Sequence, residues 1–221
     1  MIPTRPMKRT PNAAAPLALA ALALLAACHD KPPAPATTAT ITAAVDDYLA
    51  RRGHLCIAKY DWPIVVTQAD RQARGVDARQ LPVLESLGLA SGRDVSVRRQ
   101  GADVPAREYT LTEAGRKAYL HVPVVVATAT QRVTHAGDFC VAGLALDRVV
   151  GWETPTPIGG RDVSSVLFTY RIVDPAPWVT TPDARRAFPL VMRAIDNAGT
   201  LQVRLGIHRG PDGWIADELT D

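Results

Sequence analysis

The sequence predicts an α+β protein: a helical N-terminal part, then an antiparallel sheet that carries one packed helix. Three observations predict it. Between residues 41 and 120 apolar side chains recur at helical spacing behind residues suited to capping. Beyond 120 the chain turns to β-branched and aromatic runs with partial alternation, the pattern of half-buried strands. A late segment opened by Thr181-Pro182-Asp183 then returns to helical periodicity before a closing hairpin.

In chain order, ITAAVDDYLARRG (41–53) puts Ile41, Val45, Tyr48 and Leu49 at helical spacing, with Asp47 and Arg51 four apart and Gly53 as a stop. TQADRQAR (67–74) opens on a T-x-x-D capping pattern. Asp77 caps a third helix over 77–88, interrupted by Pro82 and ended by Gly88. VSVRR and REYTL form a strand pair around a loop containing Gly101 and Pro105, and Thr112 caps the short helix EAGRKAYL. Strands are expected in 121–133, 138–153 and 162–174. The helix from Thr181 runs to Gly199 with a bend at Pro189, its face formed by Phe188, Val191, Met192 and Ile195. TLQVRLGIHR and GWIADEL close a hairpin across Gly210-Pro211-Asp212-Gly213, giving a sheet of four or five strands.

Ahead of this region the chain reads as a targeting segment. MIPTRPMKRTPN carries Arg5, Lys8 and Arg9 and no acid, and about fifteen small and apolar residues follow it up to Cys28. That run is shorter than the roughly twenty residues a membrane span needs. Leu25-Ala26-Ala27-Cys28 resembles the lipobox of bacterial lipoproteins. The resemblance implies a diacylglycerol on the Cys28 thiol, cleavage just before it and acylation of the new amine, so that the membrane is reached through an N-terminal lipid anchor. Two or more acyl chains anchor stably where one does not. It further implies a periplasm-facing protein of the cell envelope, and His29 after the cysteine favours the outer membrane over the inner. Residues 28–40, with the run KPPAPATTAT, then form a proline- and threonine-rich tether, and the ordered part begins near Ile41.

Removing residues 1–27 changes the electrostatics. The full chain of 221 residues has 25 basic and 22 acidic residues, a net of +3; the three basic residues of the signal leave without an acid, so the mature chain has 22 of each. The basicity belongs to the precursor and gives no reason to expect nucleic acid. Of three cysteines, lipidation of Cys28 leaves Cys56 and Cys140. An even remainder in an oxidising compartment is read as a disulfide, ahead of two buried thiols or a metal pair, since no CxxC and no suitably spaced histidine joins them.

LPVLESLGLASG followed by REYTLTEAGRKAY resembles the late part of the winged-helix fold of regulators. The resemblance implies a winged-helix-like subdomain over 41–120, followed by the sheet subdomain over 121–221. Such regulators read DNA with a basic helix and wing. Here helix 77–88 has Arg79 against Asp77 and Glu85, while Arg98, Arg99 and Arg107 are balanced by Asp94, Asp103 and Glu108. The scaffold is therefore expected to serve packing or protein contact, with no nucleic acid as partner.

No nucleophile elbow, SxxK, HExxH, phosphate loop or dinucleotide fingerprint occurs, so no catalytic residue, metal ligand or cofactor is assigned. His135 and Asp138 in THAGD (134–138) are the nearest approach to a polar catalytic pair. Tyr60, Trp62 and Trp178 lie in proline-flanked loops and are the candidate partner-contact residues. The expected function is a non-catalytic binding or interaction module with an envelope protein as partner. The alternatives are an envelope hydrolase with a non-contiguous site and, last, a DNA-binding regulator.

Overall fold

The computed structural model describes residues 35–220, and the expectations for Cys28 and the signal segment lie outside them. Helix α1 spans Thr38–Arg52. Thr37 starts it: its side chain accepts from the Thr40 amide while Thr40 reciprocates, satisfying two of the helix's free donors. At the other end Gly53 donates to the Leu49 carbonyl at 2.8 Å, and its own carbonyl accepts from Leu144 at 2.7 Å. A Cβ at Gly53 would lie 2.4 Å from the Leu49 oxygen and 2.7 Å from that of Leu144, so this close approach requires glycine.

Two short strands absent from the sequence reading follow, β1 (His54–Cys56) and β2 (Ile64–Thr67). Helix α2 (Gln68–Gln72) has the expected capping box between Thr67 and Asp70, and α3 (Val76–Ser86) continues through Pro82. The hairpin is longer than expected. Strand β3 (Ala90–Arg99) and strand β4 (Ala102–Leu111) turn at Gln100 and Gly101, and Pro105 lies inside β4. Thr112 caps α4 (Glu113–Ala118), which leads into β5 (Tyr119–Leu120).

The predicted strand over 121–133 is divided: β6 (Val124–Ala127) pairs with β7 (Arg132–His135) as a separate hairpin. Next come β8 (Asp138–Trp152), β9 (Thr156–Ile158) and β10 (Arg161–Val173). The late helix is two helices, α5 (Pro182–Ala187) and α6 (Pro189–Asp196), because Phe188 leaves helical geometry with φ −120° and ψ 58° ahead of the proline. The closing hairpin is β11 (Val203–Arg209) and β12 (Trp214–Ala216).

The architecture is α+β with mostly antiparallel sheets. Seven strands form the large sheet, in the order β1-β8-β10-β11-β12, with β5 on β8 and β9 on β10. A second sheet has the order β2-β4-β3. The expected winged-helix arrangement of 41–120 is not supported, because α1 does not join α2 and α3. Its apolar stripe, Ile41, Ala44, Val45 and Leu49, is buried against Val166, Phe168, Leu205 and Ile207 of the large sheet. Burial of that stripe outweighs proximity in sequence, since the gain scales with apolar area removed from water. A second apolar cluster gathers Leu81 and Leu84 of α3, Tyr109, Phe139, Val141, and Phe188, Val191 and Met192 of the late helices.

Candidate functional site

A cleft of about 530 Å³ opens where the end of α1, strand β1, the β6–β7 hairpin and the start of β8 meet. That volume lies within the usual range of small-ligand sites, about 300–1,000 Å³. The Cys56–Cys140 disulfide lines it. The two cysteines are direct register partners on adjacent antiparallel strands, and the bond joins residues 84 apart in sequence. The expected pairing is therefore observed.

The lining includes the aliphatic side chains of Leu120, Val122, Val124 and Val125. It also includes Arg51, Arg52 and His54, with Arg132 from β7 and Glu218 from the C-terminal turn. Arg51 donates to Asp47 through Nε at 3.0 Å and Nη2 at 2.9 Å, the pair foreseen from their four-residue spacing. Tyr48 donates its hydroxyl to Glu218 at 3.0 Å, and burial followed by this carboxylate pushes the phenol up to about 12. The side chains of Arg52 and His54 make no hydrogen bond or ion pair among the described residues, although their backbones belong to α1 and β1.

Asp138 lies at the inner edge of the cleft and is 6% exposed. Its carboxylate accepts from the amides of Ala58 at 3.2 Å, Lys59 at 2.7 Å and Phe139 at 2.7 Å. Burial raises its pKa, partly offset by these amide bonds. The arrangement holds the loop after β1, where Ala58 takes a positive φ of 57°. Lys59, 3% exposed, sends its ammonium to Asp77 at 3.0 Å and to the Ile57 carbonyl at 3.4 Å.

The catalytic pairing of His135 with Asp138 does not form. His135 Nδ1 bonds to Asp61 Oδ2 at 2.8 Å, and its ring stacks on Tyr60 at 4.4 Å. Asp138 is committed to backbone amides, because β8 starts at this residue and the carboxylate turns to the 57–59 loop. A different pair, His208 and Asp217 at 2.7 Å, ties β11 to the C-terminal turn, a contact with no local signal in the chain.

The three candidate contact residues separate. Tyr60 lines the cleft, and its carbonyl accepts from the Tyr119 hydroxyl. Trp62 and Trp178 instead pack on Phe139, at 6.5 and 6.3 Å between ring centroids, and Trp178 also meets Phe188 at 5.9 Å. The Trp62 indole donates to the Lys59 carbonyl at 3.2 Å. Both tryptophans are thus seated against the apolar cluster around Phe139. Arg52, His54, Arg132 and Glu218 were not anticipated as neighbours; the one available signal was the basic Arg51-Arg52 doublet before Gly53. No group of three or more metal-ligating side chains occurs among the described residues, and no described helix is long and apolar enough to cross a membrane. Comparison with protein-family models, with curated proteins and with solved structures returned no match.

Proposed function

We propose that this chain is a lipid-anchored, periplasm-facing lipoprotein of the cell envelope, placed in the outer membrane in preference to the inner. Its folded part acts as a non-catalytic binding module through the cleft beside Tyr60, with an envelope component as partner. The observation that carries the reading is Leu25-Ala26-Ala27-Cys28 behind a basic head and an apolar run, with the two remaining cysteines joined to each other. A disulfide between them is the state an oxidising compartment produces. The binding role is supported by a cleft whose lining combines aliphatic side chains with cations, while His135 and Asp138 are bonded to separate partners.

Mass spectrometry of unreduced protein from membranes, with Cys28→Ala as control, tests the anchor. The expected result is a chain beginning at an acylated Cys28, with Cys56 and Cys140 linked. An intact Met1 terminus with free thiols in the soluble fraction would overturn it.

A further inference from the structure

We infer that the cleft takes an anionic amphiphile, with a phosphate or carboxylate head at Arg52 and an apolar tail against Leu120, Val122 and Val124. The inference deepens the binding role proposed above and rests on it only for where such a ligand would be met.

The charges around the cleft are already committed to different degrees. Asp138 holds its carboxylate on three backbone amides. Glu218 accepts from Tyr48, and Arg51 is matched by Asp47. Arg52 has no such match among the described residues, and it stands exposed on the last turn of α1 next to His54. An arginine guanidinium presents a planar fork of donors that suits two oxygens of a phosphate or carboxylate. In the same lining, Leu120, Val122 and Val124 are only half-buried, and Val125 is 42% exposed. Covering such side chains is favourable at about 25 cal/mol for each Å² of apolar surface removed from water. A purely ionic ligand would leave the aliphatic lining wet, and a purely apolar one would leave Arg52 without a partner. An amphiphile with an anionic head satisfies both kinds of lining at once.

The test uses the full chain carrying Cys28→Ala, titrated calorimetrically with dodecyl phosphate below its micelle concentration. Inorganic phosphate and dodecyltrimethylammonium serve as head-only and opposite-charge probes. Dodecyl phosphate should bind more tightly than either. Arg52→Glu should weaken it by about tenfold, since reversal removes an attraction and adds a repulsion. Arg52→Gln should fall between, with Arg98→Gln on the remote hairpin unchanged; thermal melts confirm that each variant is folded. Equal binding by the parent and both Arg52 variants would overturn the inference, as would equal binding of the cationic amphiphile. Pelleting with phosphatidylglycerol vesicles then divides the sources. Loss of pelleting in Arg52→Glu assigns the head to a bilayer lipid, and unchanged pelleting alongside weakened dodecyl phosphate binding assigns it to a soluble anion. Acylation of Cys28 is read by mass spectrometry, so the anchor and the ligand can each fail without the other.

Discussion

Glu85 and Asp138 are two carboxylates whose surroundings push them in opposite directions. Arg107 donates to Glu85 at 2.6 Å, holding its carboxyl below the usual range, with the Gly92 amide assisting at 3.1 Å. Burial does the reverse at Asp138. An acid with a depressed folded pKa contributes stability above its ordinary value of about 4 and loses it as pH falls through the folded value. An acid with a raised folded pKa contributes stability that is present at low pH and is lost as pH rises through the folded value. Glu85→Gln should therefore flatten the loss of stability on acidification, and Asp138→Asn should steepen it. Urea midpoints measured between about pH 2 and 6 give both slopes. At neutral pH Asp138→Asn should also cost about 1–3 kcal/mol, because the Ala58 and Lys59 amides share one acceptor fewer.

Phe139 shows how an element's role is set by what crosses it. It is the second residue of β8 and is fully buried, in contact with both Trp62 and Trp178. Phe139→Ala should destabilise by about 3–5 kcal/mol, measured by chemical denaturation. It should also loosen both tryptophans, seen as a red shift of their emission in the folded state. Helix α1 makes the matching case in the other apolar cluster. Ile41→Ala, at a residue with no exposure close to the start of the helix, should cost about 2–5 kcal/mol because its contacts are with the large sheet. Caps and stops were legible here: Thr67 with Asp70, Thr112, Thr181 and Gly53 all behave as their residue types require. Strands β1 and β2 were not legible, since three and four residues carry too little alternation to stand out.

At the scale of the whole fold, the Cys56–Cys140 bond joins β1, from the early half of the chain, to the 15-residue strand β8. In the chain-entropy account, closing a loop of this length stabilises the fold by about 4–5 kcal/mol, and removing a native disulfide commonly costs about 2–5 kcal/mol. Paired Cys56→Ser and Cys140→Ser substitutions should lower the denaturation midpoint by a corresponding amount, and reduction of the parent should reproduce the shift. The same substitutions alter the lining of the cleft, so ligand titrations are read on disulfide-intact protein. Strand β1 also brings His54 beside Arg52, while β7 brings in Arg132 and the C-terminal turn Glu218.

The sequence by itself determined the α+β class, the cysteine pairing, the caps at Thr67, Thr112 and Thr181 and the closing hairpin, whereas α3 starts from Gly75 with Asp77 inside its first turn. Each depends on local spacing or on counting, which one dimension preserves. Only the tertiary structure decided that α1 covers the large sheet rather than α3, that His135 meets Asp61 rather than Asp138, and that the cleft exists at all. Those outcomes depend on which apolar faces bury one another and on residues far apart in the chain, 74 positions for His135 and Asp61. Pairing across such distances leaves no periodic trace in the chain.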